Sequence, residues 1–254
     1  MEDPRPNGLA VSDPAQMSEV STILNVFMEP GRVFEDLRRK PRFLIGLILI
    51  ALLSGATVFA LQQKVGEDGI RRAITEQFDR NPQAASMPAE QKSRMIDLNM
   101  TIQKFLPLIT PVIVGISIVI IGLFYFLGAK AFGGNGGFLH ALSVVVYSWI
   151  PPAVIGTIAS MIVLLLKSAD EIDLVAAQRG GLVQANPSIF IDAKAQPVLA
   201  AILSTFDLFQ IWGWVLAAIG LKIVYKLSSG SAWAIVIIFA LVGVLFRVIG
   251  AFFS

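Results

Sequence analysis

The chain has 254 residues, 55% hydrophobic and 15% charged, with a formal charge of +2. So apolar a composition exceeds what a soluble chain of this length buries in one core, and the near-neutral charge gives no ground for nucleic-acid binding. With no cysteine and one histidine, disulfides, thiolate nucleophiles and cysteine metal sites are excluded, and no cofactor-binding motif is present.

Segment 1–18, rich in Pro, Asp and Ser, reads as a disordered tail, with no basic start and short apolar run of a cleavable signal. Residues 19–41 predict two amphipathic interfacial helices, because Val20, Ile23, Leu24 and Phe27, then Val33, Phe34 and Leu37 after the Pro30-Gly31 break, recur at helical spacing. Phe34, Leu37, Arg38, Arg39 and Lys40 form the expected cytoplasmic interface. The pattern leaves open whether these helices cover the bundle's end or touch lipid directly.

Five apolar stretches in the domain 42–254 are long enough to cross about 30 Å of hydrocarbon at about 1.5 Å per residue: 43–61, 107–127, 139–166, 199–225 and 233–253. The fold class is therefore an all-α integral membrane protein, a five-helix bundle. Arg38, Arg39, Lys40 and Arg42, then Lys130, then Lys222 and Lys226 flank short connections that fall on one side, which the positive-inside rule makes cytoplasmic. The N-terminus is then cytoplasmic and the C-terminus outside. Segment 62–106 becomes an external helical cap, with Ile70, Ile74 and Phe78 along one helix and a second helix starting near Pro88 that Pro107 and Pro111 would bend. Segment 168–198 becomes an external loop with a Gly180-Gly181 turn and an extended stretch at Ser188–Ile191.

Two polar features fall inside the spans. Asp207 and Arg247 lie at matching depths, about 9–10 Å below the outer surface, and form a candidate intramembrane ion pair that either fixes register or carries an ion. Pro151 and Pro152 remove two backbone donors from the third span, leaving the carbonyls near Tyr147 and Ser148 as a candidate kink or polar site. Gly156 with Ser160, and Gly213 with Ala217, allow close helix contact within or between chains.

No catalytic, cofactor or metal residue is assigned. His140 lacks a second His or Cys beside it, and the loop Gly133–Gly137 lacks the Lys-Ser/Thr ending of a phosphate loop, so it reads as a tight, flexible hairpin. Ser117 and His140 would lie at different depths, which fails as a serine–histidine dyad.

Three stretches together resemble the Yip family of Ypt/Rab-interacting proteins, in particular its bacterial branch. They are Pro30-Gly31-Arg32-Val33-Phe34 with Lys40-Pro41, then Phe138 through Tyr147-Ser148-Trp149-Ile150-Pro151, then Leu208-Phe209-Gln210-Ile211-Trp212 with Leu216, Ile219-Gly220-Leu221 and Ser228-Ser229. The resemblance covers about residues 28–250 and implies a five-span fold, in this branch in a bacterial cytoplasmic (inner) membrane. Eukaryotic relatives act with Rab GTPases and in membrane shaping, and tend to assemble with one another. Their Asp-Leu-Tyr-Gly-Pro motif is absent here, where Asp36-Leu37 runs into Arg38, which argues against Rab-type GTPase binding. The expected function is a non-enzymatic membrane scaffold or adaptor whose partners are the lipid bilayer, other membrane proteins or copies of itself. The alternative is a small transporter or channel-like protein using the third-span kink and the Asp207–Arg247 pair.

Overall fold

A computed structural model describes residues 16–81, 84, 87–174, 176–177, 181–192 and 195–252; the expected tail lies almost wholly outside these. The described residues are all-helical. In chain order the helices are α1 (Glu19–Asn25), α2 (Pro30–Arg39), α3 (Leu44–Arg80), α4 (Ala89–Ala131), α5 (Phe138–Leu166), α6 (Pro197–Leu203), α7 (Leu208–Tyr225) and α8 (Ser229–Phe252). Five of them, α3, α4, α5, α7 and α8, are long and apolar enough to cross a membrane. Large apolar side chains such as Leu44, Ile48, Leu52 and Phe59 on α3 and Leu241, Leu245 and Phe246 on α8 face outward. Such surfaces are stable only against lipid.

Two ends of the bundle follow from the alternation: a hairpin side carrying α1, α2 and the α4–α5 and α7–α8 turns, and a cap side. Helix α4, at 43 residues, is about 65 Å long and so about twice the hydrocarbon thickness. Its first half and the end of α3 protrude together on the cap side, around Leu61, Ile70, Ile74, Ile96 and Met100. Arg71–Asp97 at 2.9 Å, Lys104–Glu67 at 3.1 Å and Lys92–Asp79 tie the two helices at the cap's surface, each such exposed pair contributing about 0–1 kcal/mol. Helix α3 leaves helical geometry at Gly66, whose φ of 73° and ψ of 168° separate the membrane portion from the cap. Helix α4 runs through Pro107 and Pro111 without a break. The Gln103 carbonyl, deprived of a donor by Pro107, accepts instead from Gln62 Nε2 at 2.6 Å.

The larger core lies on the hairpin side. Residues Ala141–Ser148 of α5 are all buried there, against Ala217, Leu221 and Val224 of α7 and Tyr125 and Ala129 of α4. Helix α2 begins with Pro30 at its first turn and ends where Lys40-Pro41 prevents continuation. Its Val33, Phe34 and Leu37 are fully buried in the same core. A Cβ on Gly220 would lie 2.9 Å from the Phe34 ring, so α7 needs glycine where α2 crosses it.

Three sequence expectations change. The fourth span does not begin at residue 199: α6 stops at Leu203 and a separate α7 starts after Asp207. The stretch Ser188–Ile191 is not extended; Pro187–Phe190 forms a 3₁₀ turn capped by the Asn186 side chain. Gly133–Gly137 is the tight hairpin expected but is pinned instead of flexible, because Asn135 N–H donates to the Tyr225 carbonyl at 3.0 Å and the Tyr225 hydroxyl donates to the Gly137 carbonyl at 2.9 Å.

Candidate functional site

Beneath the N-terminal hairpin, α1, α2 and the turn before α3 bring charges together, and α5 adds a tyrosine hydroxyl. Asp36 falls three residues after Val33 and so lies with the buried face of α2, where it is 1% exposed. Its Oδ1 accepts from Met17 N–H at 3.3 Å and Arg39 Nη2 at 3.1 Å, and its Oδ2 from Arg42 Nη2 at 2.5 Å. Arg42, turned back by the Lys40-Pro41 break, also donates to the Met17 carbonyl at 2.6 Å and to Thr22 Oγ1 at 2.7 Å. Its Nε is 3.6 Å from Glu19 Oε1. That distance gives Coulombic attraction without a hydrogen bond, which agrees with Nε being buried and otherwise unpartnered. From α5, the Tyr147 hydroxyl donates to Glu19 Oε2 at 3.2 Å. Two carboxylates and two guanidiniums thus balance, the Asp36–Arg42 pair shielded from solvent and Glu19 and Arg39 at its rim, an arrangement that makes buried charge tolerable.

The hairpin lies along α7 instead of sitting at its mouth. Phe27 meets Trp212 edge-on at 6.3 Å, and Gly31 approaches Ile223, eleven residues or about 16 Å further along the helix. Thr22 and Val26 face the core, as expected of helices that cover the bundle, while Val20, Leu24 and Met28 present an apolar stripe outward.

The expected interface residues divide. Phe34 and Leu37 belong to the core, a correction that follows from α2 docking on α7; Arg38 and Lys40 are exposed, and Arg39 pairs with Asp36. His140 Nδ1 accepts from Gly137 N–H at 3.1 Å, so the ring proton sits on Nε2 and donates to the Arg38 carbonyl at 3.2 Å. Ser117 is exposed and bonded to the Ile113 carbonyl of its own helix, away from His140. Among the described residues no three His, Asp or Glu side chains converge as metal ligands.

Asp207 and Arg247 are not brought together. Asp207 caps α7, accepting from Phe209 N–H at 3.0 Å, and its other oxygen takes Ala185 N–H at 3.0 Å and Asn186 Nδ2 at 3.2 Å. Arg247 donates to Ser204, to its carbonyl and hydroxyl at 3.2 Å each, at the C-terminal end of α6. The reason is the helix break at 204–207: it exposes an N-terminus and a C-terminus side by side, and each charge satisfies the end of opposite polarity. With 18 residues, α7 spans about 27 Å from its cap, so Asp207 sits at an edge of the hydrocarbon and not inside it.

The residues expected around the proline pair serve two different places. Tyr147 points to the hairpin cluster, and Ser148 Oγ donates to the Val144 carbonyl at 2.6 Å. Pro151 and Pro152 are both buried inside a continuous α5. Pro152 also borders a cavity of about 670 Å³ on the cap side, between α3, α4, α5 and the start of α7. Gly156, expected to make a close helix contact, has nothing within 4 Å of where a Cβ would stand and opens onto this space, whereas Gly213 does pack on α5 at Ser148 and Pro152.

The Yip1 domain matches residues 24–251, from the last two residues of α1 almost to the end of α8. The chain belongs to the Yip1 domain family. Helix α2 and the five membrane-length helices thus fall within one family unit. The chain is also similar to "Membrane protein YknW" of Bacillus subtilis (strain 168), 26% identical over 222 residues that cover 87% of this chain and 86% of that protein. No solved structure matches.

The buried cluster escaped the sequence reading, although a signal for it exists. Asp36 is a carboxylate on the apolar side of an amphipathic helix, which demands a cation, and Arg42 is the nearest one after the break. The cavity left no such signal, since its walls are ordinary stripes of three spans.

Proposed function

We propose that this Yip1-family chain is a non-enzymatic scaffold or adaptor in a bacterial cytoplasmic membrane, organising other membrane proteins or copies of itself. Its hairpin side faces the cytoplasm in this reading, and nucleic acid and Rab-type GTPases are not among its partners. The observation that supports it is the docked hairpin: the Asp36–Arg42 pair ties α1 and α2 to a close-packed half of the bundle. A hairpin so held offers a fixed surface, with Arg32, Glu35, Arg38 and Lys40 exposed beside the apolar stripe Val20, Leu24 and Met28. Fixed surfaces lose little entropy on binding. A photo-crosslinking residue at Leu24 or Arg38, in native membranes, is expected to trap one reproducible membrane-protein partner, and Asp36→Ala to abolish the adduct. Failure of both positions to give a specific adduct from folded protein would sink the proposal.

A second reading, a small transporter, draws on the cavity beside Pro152. Solute flux into proteoliposomes that stops when Gly156→Leu fills that cavity would favour it over the scaffold.

A further inference from the structure

The cavity is an elongated slot. Its α5 wall is Trp149, Pro152, Ala153, Gly156, Thr157 and Ser160, one helical stripe about 16 Å long. That matches about half the thickness of bilayer hydrocarbon, the depth of one leaflet. Ile50 to Gln62 of α3 form a parallel stripe, and α4 closes the slot with Gln103, Leu106 and Thr110.

The polar groups are graded along it. Gln62, Gln103 and Ser160 stand at the cap end, beneath Leu174, Leu182 and Val183, while Thr57, Thr110 and Thr157 lie further in among Leu53, Val58 and Leu106. Thr57 Oγ1 donates to the Leu53 carbonyl of its own helix at 2.9 Å. The hydroxyls of Thr110, Thr157 and Ser160 have no hydrogen-bond partner among the described residues, and none is sealed from the cavity. Threonine and serine in apolar helices ordinarily bond back to their own backbone, so these three are available to a ligand. Among the described residues the only charged side chain lining the slot is Asp207. Both its oxygens are already occupied, by Phe209, Ala185 and Asn186. Among the described residues the slot therefore presents no free charge.

We propose that this slot binds a neutral acyl lipid, its chain lying between α3, α4 and α5 and its uncharged hydroxyl or ester headgroup held by the open hydroxyls of Ser160 at the cap end and of Thr157 and Thr110 below it. A mostly apolar pocket of this volume with a few convergent polar groups is the usual form of a small-ligand site. Phospholipids are disfavoured because the described lining offers no cation to their phosphate. The site is independent of the scaffold reading, and it requires no movement of the ligand across the bilayer.

The test is native mass spectrometry of the purified full chain with 1-monooleoylglycerol, lysophosphatidylglycerol as the anionic comparator. One monooleoylglycerol per chain is expected, with at least tenfold weaker retention by Gly156→Leu, whose Cβ would stand in open space facing the slot. Gly115→Leu, at an equally open position of α4 outside the slot, is expected to retain it fully. Thr157→Val keeps the shape, removes a hydroxyl, and is expected to weaken retention several-fold even if Gly156→Leu does not fold. Equal retention by Gly156→Leu, or by Thr157→Val where that is the variant available, overturns the proposal. So does equal loss in Gly115→Leu, or tighter binding of lysophosphatidylglycerol. Loss of crosslinked partner with lipid binding intact would overturn the scaffold reading and leave this one standing.

Discussion

Gly66 joins two segments that follow different rules, one selected by hydrocarbon and one by water. Its φ of 73° and ψ of 168° lie in a region that only glycine enters readily, because a Cβ there collides with its own backbone. Nothing else lies within 4 Å of the position, so a substitution reports backbone strain alone. Gly66→Ala is expected to destabilise the fold by about 1–3 kcal/mol, read as a lower melting temperature in detergent and faster proteolysis of the cap. An unchanged melt and digestion pattern would mean that the bend is not fixed at this residue. Lys226 performs a similar task without glycine. At φ 56° it ends α7, with the N–H groups of Lys226 and Leu227 both reaching the Lys222 carbonyl. Neither bend was read from the sequence, because the hydropathy of a glycine or lysine near a span end does not reveal its φ.

At the scale of elements, the hairpin is the part whose docking rests on charge as well as packing. Arg42 and Asp36 have side chains only 12% and 2% exposed, so removing one partner leaves the other buried and uncompensated. Asp36→Ala is expected to cost about 3–5 kcal/mol, whereas the paired replacement Asp36→Leu with Arg42→Met should return most of that, since well-packed apolar substitutes remove both desolvation penalties. Denaturation in detergent measures the stabilities, and protease access to residues 17–42 reports whether the hairpin has left α7. A double variant as unstable as the single one would show that Glu19 and Thr22 need Arg42 for themselves. The helical spacing of Val33, Phe34 and Leu37 made α2 legible as an amphipathic helix. It could not say which surface the apolar face would meet, since lipid and a neighbouring helix select the same residues. The choice was made by Gly220, whose missing side chain admits the Phe34 ring.

For the whole molecule, five crossings put the hairpin and the cap on opposite sides, and the chain contains no cysteine to interfere with a reporter. Lys40→Cys and Asp97→Cys, both at exposed positions, are therefore expected to label from opposite sides. With the basic turns held in the cytoplasm, an impermeant maleimide should modify Asp97→Cys in intact cells and Lys40→Cys only after lysis. The reverse pattern would invert the orientation, and labelling of both from outside would break the five-span topology.

The number of spans and the helical class are fixed by the sequence itself, because the match of an apolar stretch to hydrocarbon thickness is a local property that no partner can alter. Where the charges go is not local. Were the fourth helix continuous, Asp207 would stand at the depth of Arg247 on the fifth, and only the break at 204–207 gives each charge a different helix end to satisfy. Asp36, Arg42, Glu19 and Tyr147 meet only because α1, α2 and α5 converge beside α7. The slot at Gly156 exists because three helices part there. Composition chose the solvent for this chain; packing chose the partner of each buried polar group, because that choice depends on distances between segments far apart in sequence.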